Sequence, residues 1–223
     1  DDPTKMVLNG AGGTTLIYDH AGWDGNNLQR FIFKDMTWGK VDNFGYTEGA
    51  QLHGFKIMGQ GTGLYDPSYH FSAIGAWKRG EVSTISDVFV YNANNYGIEL
   101  GGQFHATFYA ERVSMFKCGR AGIGIIGGGH LQVHMSSFDD NGSCFEAIPD
   151  ASGSIGNGTR IAAYGIKFET GKTAGRPYSR GQQLLEGEGY IKADFYGVNY
   201  SRVNSIPHSL IRIKSTANTS YVN

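Results

Sequence analysis

At 223 residues and 40% hydrophobic content the chain can bury one sizeable core, and it is not a disordered segment. Its 34 glycines are about twice the usual share but follow no Gly-X-Y period, which excludes collagen. A net charge of −1 gives no general pull toward nucleic acid or an anionic membrane, and no apolar run approaches the roughly 20 residues of a membrane helix.

No sharp shift in composition divides the chain, so residues 1–223 read as a single domain. Cys118 and Cys144 make no disulfide framework. Many glycines with 13 Tyr and 13 Phe suggest short strands joined by tight turns.

Residues 6–18 read as strand, Gly turn, strand, broken at Gly10 to Gly13. The run Leu8-Asn9-Gly10-Ala11-Gly12-Gly13-Thr14-Thr15-Leu16-Ile17-Tyr18 resembles the early rungs of the pectate-lyase superfamily of right-handed parallel β-helices, which includes many phage tailspikes. There a Gly-rich turn precedes a Thr-Thr-apolar strand in the same style. Residues 21–29 then read as a polar loop, 31–33 as a short strand and 38–49 as a loop.

From Gln51 a repeat takes over. Its clearest copies are His53-Gly54-Phe55-Lys56-Ile57-Met58, Tyr164-Gly165-Ile166-Lys167-Phe168-Glu169 and Tyr196-Gly197-Val198-Asn199-Tyr200-Ser201. Looser copies lie between, giving the register marks Ile57, Val90, Met115, Phe138, Phe168 and Tyr200. The steps are 33, 25, 23, 30 and 32 residues, a spacing that signals a repeat architecture. A first strand ends at Leu52, Ile85, Ala110, Val133 or Ala163. The register strand follows, and a third strand falls at 71–74, 97–100, 122–125, 144–148, 184–187 and 210–213.

Three short strands per unit, never returning through a two-residue hairpin, pair poorly in an antiparallel sandwich. Coiling lets each strand pair with its equivalent one unit later, about 4.8 Å away. The fold expected is therefore all-β: a single-stranded right-handed parallel β-helix of about seven or eight coils, with a β-sandwich as the alternative. A solenoid needs covered ends, and neither end reads as a cap, so the chain is expected to be part of a longer one.

Period-two alternation predicts the outward columns. One is Lys56, Phe89, Ser114, Ser137, Lys167, Asn199, and the next is Met58, Tyr91, Phe116, Asp139, Glu169, Ser201. Phe89, Tyr91 and Phe116 would form an exposed aromatic patch suited to stacking sugars, beside Asp139, Glu169 and Lys167. A loop folding over the rings, such as 61–67 or 171–181, is the plainer reading. On the third strand Ala73, Glu99, Gly124, Glu146, Glu186 and Arg212 share an outward position. Glu99 and Glu146, two coils or about 9.6 Å apart, approach the separation of an inverting glycosidase, with Gly124 leaving room for substrate. Asp139 and Glu169, about one coil apart, are nearer the retaining distance of about 5–5.5 Å. Ordinary solvated carboxylates are the alternative for both pairs.

The resemblance implies a protein that works on polysaccharide at an extracellular or virion surface, and side-by-side trimers if it is a tailspike. Hydrolysis needs no cofactor. A lyase of this superfamily would bring Ca²⁺ and an Arg or Lys base, for which Arg112, Lys117 and Lys167 lie nearby. Asp139-Asp140-Asn141 offers hard oxygen ligands but is also an ordinary turn sequence. His53 and His134 share a column, whereas His105 and His130 lie near turns, and none has metal-ligand spacing. The expected activity is thus a glycoside hydrolase or lyase. The alternative is a non-catalytic glycan-binding or structural segment of a fibre or adhesin.

Overall fold

The computed structural model describes residues 7–18, 33–36, 51–59, 72–77, 82–101, 107–149, 153, 158–170, 183–202, 210–214 and 221–222. All secondary structure among them is β, and every strand pairing is parallel. This is consistent with a parallel β-solenoid. The predicted loops at 21–29, 38–49, 61–67 and 171–181, and His105, lie outside the described residues.

A three-strand unit recurs: Val82–Ser86, Phe89–Tyr91, Tyr96–Gly101; then Thr107–Glu111, Ser114–Phe116, Ala121–Ile126; then Gly129–His134, Ser137–Asp139, Ser143–Ile148. Two more units follow, from Thr159–Tyr164 to Gln183–Glu188 and from Ile191–Tyr196 to Ile211–Lys214. From Val82 onward first strands pair with first strands, second with second, and third with third, and the first two sets are joined into one sheet through Gln51–Gly59. Gln51–Gly59 runs unbroken through both of the first two positions, pairing with Val82–Ser86 at one end and Phe89–Tyr91 at the other. Below, the three sets are called the first, second and third sheets.

The register marks stack as the sequence implies. Ile57, Val90, Met115, Phe138, Phe168 and Tyr200 are successive partners, and the first five are buried. The repeat itself is a corner. Gly54, Asp87, Arg112, Met135, Gly165 and Gly197 all have φ between 47° and 79°. Each stands between first and second strand, and at Asp87, Arg112, Met135 and Gly165 its N–H still reaches the next unit, as in Asp87 N–H to Glu111 O (3.1 Å) and Gly165 N–H to Tyr196 O (2.9 Å). Glycine adopts this left-handed turn at no steric cost. A side chain there costs on the order of 1 kcal/mol, offset by backbone bonds that carry the ladder through the bend.

A second left-handed corner, at Asn92, Lys117 and Asp140, leads toward the third strand. The residue after it points inward. Asn141 accepts the Cys118 N–H at 2.8 Å and donates to Met115 O at 3.0 Å.

Three expectations shift. Residues 7–18 form one strand with an irregularity between Asn9 and Thr14, not two strands. The short strand expected at 31–33 lies at Phe33–Met36. The partner of Glu99 on the preceding third strand is Gly75, not Ala73, because that strand is Ile74–Trp77, and Gly75 pairs in turn with Lys34.

Phe138 is fully buried and packs its ring 5.0 Å from Phe145. Phe138→Ala is expected to lower unfolding stability by about 3–5 kcal/mol in a denaturant titration.

Candidate functional site

The third-sheet column is in register as expected: Glu99 pairs with Gly124, Gly124 with Glu146, Glu146 with Glu186, and Glu186 with Arg212. It is not an open cleft. Glu99 is 0% exposed and Glu146 8%. The room above Gly124 is filled by the ring of Tyr96, whose atoms lie 2.5–2.7 Å from where a Gly124 Cβ would stand.

Tyr96 reaches that face because alternation fails one residue later. A Cβ on Gly97 would point inward, 2.4 Å from the Met115 sulfur, and Ile98 is also in the core. Gly122-Ile123, Cys144-Phe145 and Leu184-Leu185 repeat this pair of consecutive inward residues. Tyr96 is thereby left facing outward with Glu99.

The two glutamates belong to a buried polar network. The Ser72 hydroxyl donates to Glu99 Oε2 at 2.6 Å, and Asn95 Nδ2 donates to Ser72 Oγ at 3.2 Å. The Tyr96 hydroxyl donates to Glu146 Oε2 at 2.6 Å, and Arg120 Nε lies 2.6 Å from the same oxygen. The Arg120 guanidinium also sits 5.3 Å from the Tyr96 ring centroid. Burial first, and then the Glu146 charge, pushes the Tyr96 phenol well above its usual value, so it stays a donor. With Tyr96 between them, Glu99 and Glu146 do not share a space into which a sugar could enter.

The second-sheet columns lie as predicted. Lys56, Phe89, Ser114, Ser137, Lys167 and Asn199 are successive partners, as are Met58, Tyr91, Phe116, Asp139, Glu169 and Ser201. Tyr91 and Phe116 stack at 5.4 Å and 10°. Lys117 Nζ is 5.5 Å from each ring centroid and 3.3 Å from the Tyr91 hydroxyl. Each of these rings therefore spends one face on the other. Phe89 is half-buried in the neighbouring column.

Asp139 is the unusual acid here. Its Oδ1 is buried and has no hydrogen-bond partner among the described residues. Burial raises its carboxyl above the ordinary range, Lys167 partly offsets this, and Glu169 and Asp140 add to the rise. Lys167 Nζ stands 3.9 Å from Glu169 Oε2. Arg112 is elsewhere, on the corner between the first and second sheets. It grips Asp87 through two bonds of 2.7 and 2.8 Å and also contacts Glu111. Its charge is thus already engaged.

Asp140 occupies the second corner and both ends of the Asn141 amide serve backbone groups, which is the turn role. Among the described residues no group of three or more His, Cys, Asp or Glu is placed to hold a metal. Cys118 and Cys144 are buried free thiols.

Sequence reasoning missed an exposed ladder on the first sheet, His134, Tyr164 and Tyr196, although alternation backward from Gly165 and Gly197 would have found it. No family model, curated protein or solved structure matches the chain.

Removing the hydroxyl with Tyr96→Phe keeps the ring over Gly124 but deprives Glu146 of a donor. The expected cost is about 1.5–3 kcal/mol, the range for a hydrogen bond to a charged group, read from the unfolding midpoint.

Proposed function

We propose that the chain is a right-handed parallel β-helix of the pectate-lyase type that binds a polysaccharide along its second sheet and hydrolyses it at Asp139 and Glu169. The observation that carries this reading is the pairing of those carboxylates on neighbouring strands, with Asp139 raised by burial and the stacked Tyr91 and Phe116 in line beside them. Neighbouring strands lie about 4.8 Å apart, close to the roughly 5–5.5 Å between the two carboxyls of a retaining glycosidase.

In this proposal Asp139, protonated, gives its proton to the glycosidic oxygen as the bond to the leaving sugar breaks. Glu169 attacks the anomeric carbon and forms a glycosyl ester. Water then displaces Glu169, passing a proton to Asp139 and restoring both groups. Tyr91, Phe116 and Phe89 offer ring edges and a hydroxyl to the flanking sugars, and Lys167 a cation. The working place would be an extracellular or virion surface.

A second reading, a non-catalytic glycan-binding or structural segment, is favoured by one observation: the other acid pair, Glu99 and Glu146, is closed over by Tyr96.

The test is incubation with a panel of acidic and neutral polysaccharides, following reducing ends and new double-bond absorbance together. Reducing ends alone are expected, with Asp139→Asn and Glu169→Gln each slowing their release by about 10²–10⁴-fold. Activity should fall as pH rises through the raised Asp139 value, because the acid must carry its proton, and that limb should vanish in Asp139→Asn. New absorbance would point instead to a lyase based on Lys117 or Lys167. Silence on every glycan from a folded chain would favour the non-catalytic reading.

A further inference from the structure

The outward face of the first sheet carries a second array of groups, separate from Asp139 and Glu169. Gly129–His134, Thr159–Tyr164 and Ile191–Tyr196 are neighbours in register, and alternate residues of each pack inward, all buried except Phe195, which is half-buried against the core. The intervening residues therefore face out in three lines. His130, Arg160 and Lys192 form one, and Gln132, Ala162 and Asp194 the next. His134, Tyr164 and Tyr196 form the third, beside the corner residue Met135, which is 71% exposed.

The third line is a ring ladder. His134 and Tyr164 stack at 4.9 Å and 23°, and Tyr164 and Tyr196 at 5.1 Å and 8°. Tyr164 is nevertheless 39% exposed and Tyr196 53%. Rings held by their neighbours present an amphipathic surface that loses little freedom when something binds. Four residues along the strands, about 13 Å away, stands the cationic line. Arg160 and Lys192 are exposed, and neither is ion-paired among the described residues.

We infer that this face is a binding site for an acidic oligosaccharide. Arg160 and Lys192 would take a carboxylate or sulfate, and the outer end of the ladder at Tyr196 would take the apolar face of a sugar ring. Gln132 and Asp194, lying between, would receive sugar hydroxyls. The distance between cations and rings suits a ligand of more than one sugar unit. The acceptors between the cations and the rings, Gln132 and Asp194, suit the hydroxyl donors of a sugar, which a duplex phosphate backbone lacks, and this selects a saccharide over nucleic acid. The site lies on the first strands, across the corner from the second strands that carry the proposed cleavage site, and does not rest on that activity.

The test is calorimetric titration of the folded chain with polygalacturonate, heparin, neutral dextran and duplex DNA at physiological salt. Polygalacturonate or heparin should bind, the first marking a carboxylate ligand and the second a sulfate, while dextran and DNA should not. Tyr196→Ala, and separately Arg160→Ala with Lys192→Ala, should each weaken binding at least about tenfold, with Tyr196→Phe retaining most of it. All these positions are on the surface, and circular dichroism checks that the variants are folded. The inference is overturned if neither acidic polymer binds, if the variants bind like wild type, or if DNA binds as tightly. Sensitivity to the two cations but not to Tyr196 would also overturn it, since that is unspecific charge attraction.

Discussion

The structure depends on the backbone ladder continuing around a left-handed corner. A strand that bends must either leave its N–H groups unpaired inside the fold or carry the pairing through the bend. Here the corner residue donates to the next unit, and the second residue after it donates back to the previous one, as when Lys167 N–H bonds Ser136 O at 2.9 Å. Pairing that never breaks cannot slip by one residue without turning every side chain to the wrong face. Like positions are therefore forced onto like positions from unit to unit. This produces the buried line of Ile57, Val90, Met115, Phe138 and Phe168, and equally the outward lines in which any binding chemistry must be written.

That constraint explains what could be read in the sequence. The triplet of aromatic or His, Gly and apolar residue is the corner, visible because Gly54, Gly165 and Gly197 relieve it and because a large residue precedes each. Once the corner is found, alternation gives the second sheet completely. The partners of Phe89, Tyr91, Phe116, Asp139, Glu169 and Lys167 are those the spacing implies. The third sheet resisted for a physical reason. Two consecutive residues face inward at Gly97-Ile98 and its equivalents, so counting by twos does not show that Tyr96 and Glu99 share a face. Alternation also says which way a side chain points, not whether something lies over it. Glu99 points away from the main core and is still wholly buried.

The two acid pairs thereby separate into different kinds of chemistry. Glu146 is satisfied by a phenol and a guanidinium on the same oxygen, an arrangement that compensates a buried charge and fixes Arg120 and Tyr96 in place. Asp139 keeps a buried oxygen with no described hydrogen-bond donor beside a second carboxylate, which favours its protonated form. A carboxyl whose proton is held more tightly by burial and a neighbouring acid, on a face with aromatic neighbours, is the better candidate for reaction.

The in-register stacking of equivalent residues is the claim from which both sites follow, and an engineered cross-link tests it most directly. Ser114 and Ser137 are strand partners with hydroxyls 3.0 Å apart, while Asn199 lies two strands beyond Ser137. Backbones about 4.8 Å apart fall within the range a disulfide spans, and about 14 Å does not. With both native cysteines replaced, Ser114→Cys with Ser137→Cys should form a bridge under mild oxidation of the folded protein, seen as one cross-linked peptide by mass spectrometry. Ser114→Cys with Asn199→Cys should stay reduced. A folded chain in which the first pair fails to bridge, or the second bridges instead, would contradict the register.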